Sequence, residues 1–177
     1  DGDMDVLSAS QGDNKIAWYE NNGSQSFTTH TITTSAINAQ SVFALDIDSD
    51  GDMDVLSAAE ISESKGKIAW YENDGNQSFT EYTISTDAWY AKSVYATDVD
   101  SDGDMDVLSA SPYDDKIAWY ENDGNESFTA HTITSSANEA TSVYAVDVDG
   151  DGDMDVLSAS HQDNTIAWYE NNGSQSF

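Results

Sequence analysis

An all-β chain of tandem four-stranded units is what this sequence predicts, and three observations predict it. A nine-residue acidic run recurs as Asp46–Asp54 (DIDSDGDMD), Asp98–Asp106 (DVDSDGDMD) and Asp147–Asp155 (DVDGDGDMD), and its last five residues open the chain as Asp1–Asp5. The spacing is 52 residues from Asp46 to Asp98 and 49 from Asp98 to Asp147, a period that belongs to repeat architectures. Between the runs lie short segments rich in β-branched and aromatic residues, bounded by Gly, Asn, Asp and Ser, and nothing carries a helical period.

Each unit holds four β-prone stretches. In the second unit they are Val42–Asp48, Met53–Ser57, Lys67–Glu72 and Phe79–Ser85. The third alternates, with Ile68, Trp70 and Glu72 on one face and Ala69 and Tyr71 on the other. The ENNG and ENDG segments that follow it supply residues tolerant of positive φ, as a tight hairpin turn requires. Four strands per unit of about 50 residues fit a β-propeller-type blade. The expected organisation is a single repeat domain over 1–177: a partial blade at 1–33, blades at 41–85 and 93–134, and a partial blade at 142–177. Fourteen strands make three and a half blades, so the sequence predicts an excerpt of a longer ring or array.

Composition narrows the partners. The net charge is −29, with five lysines and no arginine, so nucleic-acid phosphates and anionic membrane surfaces would repel the chain. Aromatic residues make up 11% of it at regular spacing, which argues against disorder. Cysteine is absent, so no disulfide can staple the fold. The three complete runs hold 15 of the 34 acidic residues, and Asp1, Asp3 and Asp5 add three more.

Carboxylates this close repel one another unless a cation lies among them. Hard oxygen donors at alternate positions, with a glycine for the sharp turn, describe a Ca2+ loop. Positions one, three and five would supply side-chain carboxylates: Asp46, Asp48 and Asp50; Asp98, Asp100 and Asp102; Asp147, Asp149 and Asp151. Position seven (Asp52, Asp104, Asp153) would offer its backbone carbonyl, and position nine (Asp54, Asp106, Asp155) a further carboxylate, bidentate if geometry permits. Asp1, Asp3 and Asp5 would form a partial site. An EF-hand is excluded because position twelve is Ser57, Ser109 or Ser158 rather than glutamate. Met4, Met53, Met105 and Met154 interrupt the runs and are expected to pack beneath them, since thioether is too soft a ligand for calcium.

The segments DIDSDGDMDVLSA from Asp46 and IAWYENDGNQSF from Ile68 resemble the FG-GAP/VCBS repeat of integrin-α-type β-propellers and secreted bacterial proteins. The resemblance covers essentially the whole chain. It implies a blade whose first hairpin carries calcium, in a secreted or cell-surface protein serving adhesion or partner binding. The family usually closes about seven blades, about twice what this chain holds.

Other residues admit more than one role. The WY pairs at Trp18, Trp70, Trp119 and Trp168 could stack on sugars, but packing between neighbouring blades explains them more simply. Trp89, beside Tyr90 in a linker without counterpart, is expected to be exposed. Asn22, Asn76, Asn125 and Asn172 begin N-x-S sequons that would place glycan acceptors in register on one edge, although turn chemistry alone accounts for them. His30 and His131 share a repeat position with Tyr82, and no serine or acid is placed to make any of them catalytic. The expected function is therefore non-enzymatic: an extracellular calcium-binding adhesion, interaction or filament-forming structural module, whose partner is a protein, a surface glycan or copies of itself. The alternative is a calcium-dependent carbohydrate-binding propeller lectin.

Overall fold

The computed structural model describes residues 2–62 and 65–177. The first sheet contains β1 (Val6–Ser10), β2 (Lys15–Asn21) and β3 (Phe27–Thr33). The second contains β4 (Ile37–Leu45), β5 (Asp54–Glu60), β6 (Gly66–Asn73) and β7 (Phe79–Ser85). The third contains β8 (Ser93–Thr97), β9 (Asp106–Ser111), β10 (Lys116–Asn122) and β11 (Phe128–Thr134). The fourth contains β12 (Ala140–Val146), β13 (Asp155–Ser160) and β14 (Thr165–Tyr169). Every sheet is an antiparallel meander in chain order, which is blade topology, and the described residues contain no helix.

Successive blades stack through three cores. Leu56, Ala58, Ile68 and Trp70 of the second blade meet Val94, Ala96, Val107, Ala118 and Tyr120 of the third. Leu108, Ala110, Ile117 and Trp119 then meet Val143, Ala145 and Val156 of the fourth. Ile16, with Leu7 and Ala9, meets Val55, Ala59, Ala69 and Tyr71. Tryptophan therefore faces the next blade and tyrosine the preceding one, as strand alternation requires. Trp70, Trp119, Tyr71 and Tyr120 are all buried, so the WY pairs of the complete blades are packing residues. Innermost strands are joined blade to blade, since Val94 N–H donates to Ser41 Oγ and Val143 N–H to Ser93 Oγ, each at 3.3 Å. Phe43, Tyr95 and Tyr144 add an aromatic ladder along these strands, with centroid separations of 5.1 and 4.6 Å.

Three expectations need correction. The first strand of the second unit starts at Ile37, through an outlying pair with Glu60, and ends at Leu45 rather than Asp48. It stops there because Asp46 turns back to accept Gly51 N–H at 3.0 Å, closing the loop. Met53 does not pack beneath that loop; it is 64% exposed, as is fitting for the neighbour of an inward-facing Asp54. Met4 is exposed as well, and only Met105 packs against an inter-blade core. Finally, the four sequon asparagines occupy two different positions of the turn. Asn22 and Asn172 stand where the other blades have Asp74 and Asp123, as their shared backbone bonds to Ser26, Ser176, Ser78 and Ser127 show.

Candidate metal centre

The acidic runs form the loops between the first and second strands of the blades. Asp50 N–H donates to Asp48 Oδ1 at 3.2 Å and Asp52 N–H to Asp50 Oδ1 at 2.8 Å, each an Asx-type turn that folds the chain back on itself. Positive φ is required twice, at Ser49 (63°) and Gly51 (98°), and the second value explains the invariant glycine among the repeats. The third run repeats this pattern with Gly150 in place of serine.

Carboxylates converge in each complete loop. Asp46, Asp48 and Asp50 can bring one oxygen apiece within 4.8 Å of one another. In the other loops the converging groups are Asp98, Asp100 and Asp106, and Asp147, Asp149 and Asp155. Positions one and three thus converge throughout, position five only in the first loop, and position nine only in the second and third. Burial, followed by the charge of neighbouring aspartates, holds the carboxyls of Asp48 and Asp100 above the usual range. One buried oxygen, Asp46 Oδ1, has no hydrogen-bond partner. An orphaned anionic oxygen among convergent hard donors is what a divalent cation such as Ca2+ would satisfy, so these residues fit the ion.

Position nine has a second role that the sequence did not disclose. Asp54, fully buried, accepts Ile47 N–H at 3.1 Å through Oδ2 and Asn73 N–H at 2.8 Å through Oδ1. Asp106 and Asp155 repeat both bonds, the first with Val99 and Asn122, the second with Val148 and Asn171. This carboxylate staples the loop to the third strand before any ion is considered. Burial pushes Asp106 up to about 6 despite these donors.

Position seven contributes a different contact. A Cβ at Gly75 (φ 74°) would lie 2.5 Å from Asp52 Oδ2, so the Asp52 side chain sits over the turn between the third and fourth strands. Asp104 and Asp153 sit likewise against Gly124 and Gly173. These side chains are therefore not among the convergent carboxylates, which leaves only the backbone carbonyl expected of them.

Asn73, Asn122 and Asn171 were not singled out from sequence, yet each ties a loop down. Their Nδ2 groups donate to Met53, Met105 and Met154 carbonyls at 3.2 Å. Asn171 Nδ2 also reaches the Val99 carbonyl of the preceding blade's loop at 3.3 Å. Their recurrence directly after each WYE triplet was the available signal.

Of the partial site, Asp1 lies outside the described residues, and the Asp3 carboxylate lies against Gly23. Asp5 accepts Asn21 N–H at 2.7 Å and Trp18 Nε1–H at 3.0 Å, and the first of these holds its pKa below the usual value. Two of the three histidines are held on the outer strands, while His161, in the turn after β13, bonds Glu139 at 3.0 Å. His30 stacks on Trp18 and bonds Glu20 at 3.0 Å, while His131 stacks on Trp119 and bonds Glu121 at 2.7 Å. Tyr82 stacks on Trp70 in the same register, which explains why tyrosine substitutes for histidine there.

Four matches to the FG-GAP-like repeat cover residues 1–57, 46–109, 98–158 and 147–177, together the whole chain. The chain belongs to the FG-GAP-like repeat family. Successive matches overlap on the acidic loop and the strand after it, so one FG-GAP unit runs from loop to loop and straddles two blades. No curated protein matches the chain.

Proposed function

We propose that this FG-GAP array is a non-catalytic, extracellular interaction module of the adhesive or structural kind, whose blades are pinned by Ca2+. The observation that carries the reading is the convergence of three carboxylates in each complete loop, with Asp46 Oδ1 buried and unpartnered. Asp46, Asp48 and Asp50, Asp98, Asp100 and Asp106, and Asp147, Asp149 and Asp155 would hold the ions. A bound ion supplies positive charge that offsets the mutual repulsion of these groups. The chain's own residues do the rest: Asp54 and its equivalents staple each loop, and the asparagines join it to the third strand.

Weak all-oxygen sites saturate best at extracellular calcium concentrations, and FG-GAP repeats are typical of extracellular proteins. No helix among the described residues is long and apolar enough to cross a membrane. The non-enzymatic reading draws support from His30 and His131, each bonded to a glutamate and stacked on a tryptophan. Partner surfaces and filament contacts belong to the same reading.

Differential scanning calorimetry with and without a calcium chelator tests it. Metal binding to the folded state alone raises stability by mass action, about 2.7 kcal/mol per site at a hundredfold excess over Kd. Chelation is therefore expected to lower Tm by many degrees, with recovery on adding Ca2+ but not equimolar Mg2+. An unchanged melting curve would remove the calcium assignment.

A further inference from the structure

The repeats copy one edge of the array closely and let the other diverge. The loops between first and second strands, and the turns between third and fourth, share one edge, as the packing of Asp52 over Gly75 shows. Differences there are exchanges of small polar groups, such as Asn22 for Asp74 or Gly150 for Ser101. The opposite edge carries the hairpins between second and third strands and the linkers between blades, joined by Ala36 N–H to Asn14 O and Tyr113 N–H to Trp89 O. There the chemistry changes class. Ile37, Trp89 and Asn138 are equivalent, as are Asn38, Tyr90 and Glu139, and Gly12, Tyr113 and Gln162. In repeat proteins the face that varies from unit to unit is often the binding face.

Three aromatic residues concentrate at one such linker. Trp89 is 40% exposed and Tyr113 58%, and Tyr113 stacks on Tyr90 at 4.6 Å with planes 9° apart. The indole of Trp89 is oriented by a 3.2 Å bond from Nε1–H to Asp87 Oδ1. Tyr90 holds a left-handed backbone (φ 58°), a costly conformation for a bulky side chain. Its counterparts Asn38 and Glu139 are also left-handed, but there the backbone N–H is capped by Asn14 Oδ1 or Asp115 Oδ1. The second blade has Gly66 in that place, against which the Ala88 carbonyl packs too closely for any Cβ. The linker is thus held by backbone contact and ring stacking rather than by the cap used elsewhere.

We infer that Trp89 and Tyr113 form a carbohydrate subsite for a neutral pyranose, resting on the interaction-module reading above. A fixed, exposed indole offers an apolar plane of low conformational entropy to the C–H face of a sugar ring. Asp87, bonded to that indole, and Lys92, whose Nζ lies 5.7 Å over the Tyr90 ring, are hydrogen-bonding groups suited to peripheral hydroxyls. A net charge of −29 repels sialylated, sulfated or uronic glycans and nucleic acids.

The test is an array of neutral, sialylated and sulfated glycans, followed by calorimetric titration of the best neutral oligosaccharide into wild-type, Trp89→Ala, Trp89→Phe and Tyr113→Ala chains. Trp89→Ala should weaken binding about tenfold or more without moving Tm, with Trp89→Phe retaining most of it. Retention of no neutral glycan, equal affinity in Trp89→Ala, or binding confined to acidic glycans or to peptides would each overturn the subsite. Absence of neutral-glycan binding in a wild-type chain whose melting responds to chelator would overturn this subsite alone. Glycan binding in a chain indifferent to chelator would overturn only the calcium-pinned reading.

Discussion

Tyr71 shows how one side chain connects strand alternation to solution behaviour. It points backward between blades, 1% exposed, and receives a 3.5 Å hydrogen bond from Ser57 Oγ. Burial pushes its phenol up to about 12, because the phenolate would lose its hydration. In the unfolded chain the phenol ionises near pH 10, so the folded state keeps its proton longer. Its contribution is full below pH 10 and is lost as pH rises toward 12, about 3 kcal/mol at most. Urea denaturation at pH 9 and pH 11, at constant calcium, should show wild type losing more stability than Tyr71→Phe. An equal loss in both chains would sink the account. The same scale shows where sequence reading reached its limit. The ligand-like spacing of Asp54 was visible, but its bonds to Ile47 and Asn73 depend on how two strands meet 19 residues apart.

At the scale of the strand, the WYE segment appears in four environments with nearly the same sequence. β10 places Trp119 between blades, 2% exposed, whereas β14 leaves Trp168 45% exposed. Removing a fully buried tryptophan forfeits its transfer energy and leaves a cavity, about 3–5 kcal/mol. Trp119→Ala should therefore lower the urea midpoint steeply, while Trp168→Ala stays within about 1 kcal/mol of wild type. Similar losses at both positions would mean that the tryptophans act within their own sheet rather than between blades. Strand count, order and the two-faced pattern were legible because a near-identical repeat samples the same periodicity several times. The extension of β4 to Ile37 was not legible, since it rests on a bulged pairing with Glu60 across a variable linker. The stack of Tyr82 on Trp70 escaped for a similar reason, as cross-strand register decides it.

Across the whole molecule, each blade has a forward face that fits the backward face of the next, and the two outermost faces of residues 1–177 obey the same geometry. On the last blade Ile166 is 79% exposed, where its equivalents Ile68 and Ile117 are fully buried under the next blade. On the first, Val6 and Phe27 are half exposed, where Val55 and Val107 are buried. A forward face on one end and a complementary backward face on the other make a heterologous pair, which extends a chain of subunits when its rotation does not close. On the interaction-module reading, a polypeptide of these 177 residues should associate head to tail as its concentration rises. Sedimentation velocity over a concentration series should show the weight-average mass growing in the wild type. Ile166→Asp, which buries a charge in that contact, should hold the chain at its monomer mass of 19.2 kDa. Closed dimers in both chains, or growth undiminished by the substitution, would show that association uses another surface. On the calcium-pinned reading the ion enters at the same scale, because the loops lie where Asn171 of one blade reaches the Val99 carbonyl of the blade before it. Loosening the loops by chelation should weaken that contact, so the same series run with chelator should show less growth at equal concentration.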